Sequence, residues 1–348
     1  MRRVDLGAVS RSIGIGVAAA VRTLVLPLMS ALILGLILVL PGAPARAQLR
    51  WDMPTPYVDG NFRTQNVRWF TDELRKASNG RLDITVYDNA SLFPMPEIKG
   101  AVQSGQVNIG EFLLSAYGHE DPIFEADAIP FLASGLEEAW RLYQIQKPYL
   151  EKRLQVQHLR LLYSVPGPGQ GFYCRTPIAR LGDFRGVKFR AIGSITQRLA
   201  TLLGAEPVVV QAVGVRQAFA SGEVTAMLGS SSFGVDTSAW EYARYYYPTE
   251  AMHPRDAVIV NERIYRRLPA DIQAAMLDIA ARAETRGWDM AHQNAIETKR
   301  LFTEHGLKVV EPSPEMMEEF RAIGRVMMDE WVKRAGPDGE AIAKALDR

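Results

Sequence analysis

Gly186-Val187-Lys188-Phe189-Arg190 opens a stretch that closes with Ser221-Gly222-Glu223-Val224-Thr225-Ala226-Met227-Leu228-Gly229, and its reading decides the fold. Between these ends lie a small-residue turn, an amphipathic segment, Gly204-Ala205-Glu206-Pro207-Val208-Val209-Val210 and a second amphipathic segment. The order reads as strand, helix, strand, helix, strand, the pattern of an α/β unit with parallel strands. Arg190 stands at the carboxyl end of the first strand. In open α/β sheets, ligands bind outside the carboxyl ends of the strands. A guanidinium there presents a planar fork that matches the two oxygens of a carboxylate. The stretch therefore points to a protein that holds a small organic acid.

A similar order recurs nearer the amino terminus. Asn61 to Ser78 has helical periodicity, with Phe62, Val67, Phe70 and Leu74 on an apolar face. Leu82 to Tyr87 reads as a strand, Pro96 to Ser104 as a short helix stopped by Gly105, and Val107 to Phe112 as the next strand. This run predicts a parallel sheet covered by helices. A helix over Leu136 to Leu154 and a strand over Leu159 to Val165 follow. Pro166-Gly167-Pro168-Gly169-Gln170-Gly171 then breaks the pattern and marks a crossing between two domains. A second sheet runs from Phe172 to about Tyr247, and Ala257 to Val260 is a strand expected back in the first sheet, with the return crossing near His253-Pro254. Pro269 to His305 predicts a helix of about 55 Å, long enough to bend or to span both domains. Ser313 to Arg334 predicts a last helix, and its stripe of Met316, Phe320, Ile323, Met327 and Trp331 reads as core packing rather than a cofactor site.

The chain has 348 residues and a net charge of +1. Its first 47 residues read as an export signal: Arg2-Arg3, an apolar run from Leu24 to Leu40, and Ala45-x-Ala47 before a cleavage between Ala47 and Gln48. The alternative is a permanent membrane anchor, since the run approaches the ~18 apolar residues that flag one. That leader carries five basic residues and one acidic residue, leaving 35 basic and 38 acidic beyond it, a net charge of −3. Such a balance offers no electrostatic footprint for nucleic acid. Cys174 is the only cysteine, which excludes an internal disulfide and a multi-cysteine metal site. It reads equally as a buried apolar residue or a reactive thiol.

Taken in order along the chain, several of these segments resemble the extracytoplasmic solute-binding proteins of TRAP transporters, the DctP-like family. They are Asn79-Gly80-Arg81-Leu82-Asp83-Ile84, Ala101 to Gly110, Ile129-Pro130-Phe131-Leu132, Leu181 to Arg190, Leu203 to Pro207, Ser221 to Val224, and Asn261 to Asp271. The resemblance implies an α/β, two-lobed periplasmic-binding-protein architecture with mixed, mostly parallel sheets, crossing strands and a long interdomain helix. The lobes would be 48–168 with 255–295, and 169–254 with 296–348. It also implies capture of an organic acid by lobe closure, delivery to a sodium-coupled TRAP membrane permease, and residence in the periplasm. Some relatives dimerise through the C-terminal helix, so monomer and homodimer both stay open. No cofactor and no metal is expected.

The family arginine that clamps the ligand carboxylate matches Arg190. Gln170 stands where some members have a second arginine, and it can hydrogen-bond without neutralising charge. Gly193, Ser194, Gly229, Ser230 and Ser231 leave room for a bulky or apolar ligand body, although Gly193 and Gly229 also suit plain turns. Together these departures predict a monocarboxylate, aromatic or branched, rather than a sugar acid. Trp51 and Met95 are expected as wall residues from the first lobe. Arg255 either supplies the charge that Gln170 lacks or is a solvated hinge residue, and His253 carries the same two readings. The rival function is an exported α/β hydrolase, but Gly229-Ser230-Ser231-Ser232-Phe233-Gly234 fails the G-x-S-x-G spacing and no H-E-x-x-H occurs.

Overall fold

The computed structural model describes residues 48–346, so the expected export leader and its cleavage point lie outside the described residues. The described chain starts with β1 (Leu49–Pro54), α1 (Phe62–Ala77), β2 (Leu82–Tyr87), α2 (Met95–Ser104) and β3 (Ile109–Leu113). Asn61 sets the start of α1 by accepting the Arg63 backbone N–H at 3.0 Å, and Gly105 ends α2 at a left-handed φ of 80°. β1 and β2 pair in parallel, with Trp51 opposite Ile84. β3 departs from the expected parallel sheet and pairs antiparallel with a strand from late in the chain.

α3 (Leu136–Val156) and β4 (Leu159–Pro166) follow, and then the chain passes through Gly167-Pro168-Gly169 into β5 (Gln170–Cys174) of another sheet. That sheet gathers β6 (Lys188–Ala191), α4 (Ser194–Leu202), β7 (Glu206–Val209), α5 (Val215–Ser221), β8 (Ala226–Ser230), α6 (Ser231–Asp236) and β9 (Tyr245–Tyr247). The chain returns at His253-Pro254 into β10 (Arg255–Asn261), which lies between β3 and β4 and pairs antiparallel with both. α7 (Glu262–Tyr265), α8 (Ala270–Glu304), β11 (Lys308–Val309) and α9 (Pro314–Leu346) complete it. The larger sheet has the order β11-β9-β5-β8-β6-β7. Among the described strands, four pairings are parallel and four antiparallel. The two crossings at Gly167 and Pro254 separate a lobe with the small sheets from a lobe with the six-stranded one. Gly167 N–H donates to the Pro254 carbonyl at 2.9 Å, so the crossings are bonded to each other.

Two helices tie the lobes together. α8 spans about 52 Å if straight; it packs on α1 and β4 early in its course and on α6 and β11 later. α9 runs past the expected Arg334 because Gly336 adopts φ 61° and ψ −146° ahead of Pro337, which turns the chain and lets helix restart. Its Phe320 ring lies 5.0 Å from Phe172 of β5, and its Trp331 indole donates to the Pro122 carbonyl of the first lobe at 2.7 Å. The methionine and aromatic stripe of α9 is thus core, as its spacing predicts. Cys174 is sealed in the same apolar cluster as Phe172, and burial pushes its thiol pKa well up.

Candidate functional site

Strand register assembles one wall of the site. β6 and β8 run parallel, with Arg190 opposite Met227, while β5 runs antiparallel to β8 and sets Gln170 opposite Ser230. The carboxyl ends of β6 and β8 and the amino end of β5 therefore meet at one edge, where α4 begins at Ser194 and contributes the positive end of its dipole. Against this edge, between the lobes, lies a cavity of about 340 Å3. Tyr57, Asn61, Arg63, Met95 and His119 face it from the first lobe, and Arg190, Gln170, Phe233 and Asp236 from the second.

Of the residues singled out from the sequence, Arg190, Gln170, Gly193, Ser194, Ser230 and Met95 line this cavity. Ser231, Trp51 and Arg255 are not among its lining. Ser231 turns toward α8, where its hydroxyl accepts from Thr298 at 2.6 Å. Trp51 alternates inward from β1 into the core beneath α1. Arg255 is wholly buried: its backbone N–H donates to Asp127 at 2.7 Å, its guanidinium donates to Gln146, and it lies 4.8 Å over the Tyr143 ring. His253 is buried beside the crossing, its Nδ1 3.2 Å from the Gly167 carbonyl, and burial lowers its pKa.

Arg190 is 6% exposed. Its Nε donates to the Val210 carbonyl at 2.9 Å and its Cζ lies 5.0 Å over the Phe233 ring. Neither terminal nitrogen has a partner among the described residues, and no acid there pairs with it. Burial without a counter-charge pulls its pKa down to about 10. A buried guanidinium with its fork free, in the wall of a cavity, is poised for an anion.

Facing it is an arginine that is already matched. Arg63 Nε stands 2.6 Å from Asp256 Oδ2, an ion pair off the ideal hydrogen-bond angle. The Tyr57 ring covers the guanidinium at 4.7 Å, and its hydroxyl donates to Asp256 at 2.7 Å. Burial works against the Arg63 cation, yet Tyr57, Asp256 and Glu111 together hold its pKa above the ordinary value. Glu111, behind Asp256, is pushed up to about 8 by burial and then by the Asp256 charge, while accepting a bond from Thr55 at 2.5 Å. Two contacts close the cavity across the lobes: Asn61 donates to Asp236 at 2.7 Å, and the Ser194 hydroxyl to Glu125 at 3.0 Å. Burial raises the Asp236 pKa, opposed by the Asn61 bond and by Arg63.

Sequence reasoning missed Arg63, Tyr57, Asn61, Phe233 and Asp236. Arg63 had a signal: it stands four, seven and eleven positions before Val67, Phe70 and Leu74, on the apolar face of α1. A cation on a buried stripe needs a partner.

Two lobes, two crossings, a long shared helix and a cleft lined by an arginine without an acid partner define a solute receptor of the periplasmic-binding-protein class. The chain belongs to the bacterial extracellular solute-binding proteins of family 7, the DctP family, whose pattern matches residues 59–334. It is 42% identical to DctP7 of Bordetella pertussis, an extracytoplasmic solute receptor binding pyroglutamic acid; the match has a TM-score of 0.84 and covers 86% of this chain and 99% of that one. A marine metagenome TRAP solute-binding protein specific for pyroglutamate, from an unidentified microbe, is 35% identical, with a TM-score of 0.83 over 86% of this chain and 99% of that one. A solute-binding protein of Albidiferax ferrireducens is 23% identical over 83% of this chain and 86% of its own length. These relatives are solute receptors and not enzymes. Receptors of this kind bind small organic acids, work with membrane permease components and reside in the periplasm. Among the described residues, no helix is long and apolar enough to cross a membrane.

Proposed function

We propose that this protein is the periplasmic receptor of a TRAP transporter for pyroglutamate, the cyclic lactam of glutamate. The free fork of Arg190 carries the reading: it is a single buried cation awaiting a single carboxylate. Asp236 supplies an acceptor for the lactam N–H, and Phe233, Ile195, Leu228 and Met252 give the ring an apolar bed. Gln170 offers a neutral donor to the lactam oxygen. Proteins 42% and 35% identical to this one bind pyroglutamate, which supports the assignment. This reading puts a compact lactam ring in place of the bulky or aromatic ligand body expected from the sequence.

On this reading, residues 48–168 with 255–295 and 169–254 with 296–348 move as two lobes about Gly167 and Pro254. The closed form delivers its ligand to a sodium-coupled permease, after export on a leader cleaved between Ala47 and Gln48. Calorimetric titration of residues 48–348 with pyroglutamate, L-proline and gluconate tests it. Pyroglutamate binds, proline lacks the lactam oxygen and does not, and Asp236→Asn weakens pyroglutamate by roughly tenfold, about 1.4 kcal/mol for a hydrogen bond to a charged group. Gluconate binding by a folded protein that ignores pyroglutamate would overturn the assignment.

A further inference from the structure

Two guanidinium groups reach one cavity from opposite lobes, Arg190 from β6 and Arg63 from α1. An open-chain acid with a carboxylate at each end has complementary charge for both. We infer that Asp256 is a specificity-determining residue: by pairing with Arg63 at the cavity wall it withholds the second guanidinium, so that the site accepts acids with one carboxylate and rejects those with two. The inference rests on the reading that Arg190 takes a carboxylate, not on which acid carries it.

The pairing is built in. Arg63 and Asp256 are 5% and 1% exposed and stand 2.6 Å apart. The Tyr57 ring and hydroxyl fix both partners from one side. On the other side the first crossing closes over them, and a Cβ at Gly167 would lie 2.4 Å from Arg63 Nη2. Only glycine leaves that seat open. The charges also balance. Burial raises the pKa of both Glu111 and Asp256, but Arg63 and the Tyr57 hydroxyl favour the charged form of Asp256 while the Asp256 charge pushes Glu111 further up, to about 8, so Asp256 is the carboxylate left to the guanidinium. A second ligand carboxylate would meet an Arg63 whose charge Asp256 already neutralises from the Nε side, and would have to stand beside the Asp256 charge, buried at 1% exposure.

The test uses glutarate as the probe and the variant Asp256→Asn with Glu111→Gln. Both changes are needed, because removing Asp256 alone lets Glu111 ionise and take its place beside Arg63. The wild-type protein binds glutarate at least a hundredfold more weakly than pyroglutamate. The double variant gains tenfold or more for glutarate, and adding Arg63→Gln abolishes the gain. A folded double variant with no gain overturns the inference, as does a gain that survives without Arg63. Should the double variant fail to fold, the wild type still decides: equal affinity for glutarate and pyroglutamate overturns the inference. A wild type that ignores pyroglutamate, alongside a glutarate gain that depends on Arg63, would sink the pyroglutamate assignment and support the exclusion by Asp256.

Discussion

Arg190 and Arg63 lie at the same depth, 6% and 5% exposed, on opposite walls of one cavity, yet only Arg63 has an acid beside it. A buried cation without a partner costs several kcal/mol of desolvation. The fold bears that cost at Arg190 and avoids it at Arg63. The unmatched arginine is therefore the one whose stabilisation waits for ligand, and the matched one belongs to the scaffold. The same contrast separates binding from stability, because substitution of each arginine should show up in a different measurement.

The largest effect is expected at the scaffold side. Arg63→Met strands the Asp256 carboxylate and should lower unfolding stability by about 3–5 kcal/mol; a denaturation midpoint within experimental error of wild type would erase the distinction drawn here. Arg190→Met leaves no charge behind. It should weaken acid binding by at least roughly a hundredfold, about 2.7 kcal/mol, while the ligand-free protein melts at the same temperature or higher. A calorimetric Kd within threefold of wild type would remove Arg190 from the site.

A pH series sharpens the scaffold side further. The folded pKa of Glu111 is raised to about 8, above that of the unfolded chain, so its neutral form binds a proton that the unfolded state releases. Its contribution is complete below the unfolded value near ~4.3 and fades as pH rises through about 8, by at most ~1.4 kcal/mol per pH unit. Glu111→Gln should flatten that decline, and parallel stability curves for variant and wild type would count against it. The smallest effect belongs to the ring under the free arginine: Phe233→Leu should cost about 0.5–1 kcal/mol of binding, a roughly two- to fivefold rise in Kd. An unchanged Kd would leave the ring as packing only.

Local pattern carried the architecture and half of the site. The run from Gly186 to Gly229 contains its own strand periodicity and turn glycines, so β6 to β8 and the placement of Arg190 at a strand end follow from neighbours in sequence. Gly193 and Ser194 follow Arg190 at the end of β6, and register pairs Gln170 with Ser230, so all of them line the same cavity. β3 was misjudged as part of a parallel sheet because its partner, β10, lies far along the chain and no periodicity announces a distant partner. The Arg63–Asp256 pair was hidden for the same reason. At β10 the alternation of a strand decides everything: Arg255 turns to Asp127 and Gln146, and its neighbour Asp256 turns to Arg63. A reading of single residues saw the arginine, while the cavity depends on the aspartate next to it. Trp51 and Ser231 likewise face away by one step of a strand or a helix.

Cys174, the sole cysteine, has one more consequence. Buried and held as a thiol, it stays silent toward alkylating reagents while the receptor is folded. Labelling therefore counts only molecules that have come apart around β5, and the rate at which a reagent consumes the thiol is a clock for that opening. A bound acid that stabilises the closed receptor slows the clock, so ligand recognition is readable by mass spectrometry on the unmodified chain without a dye or an engineered probe.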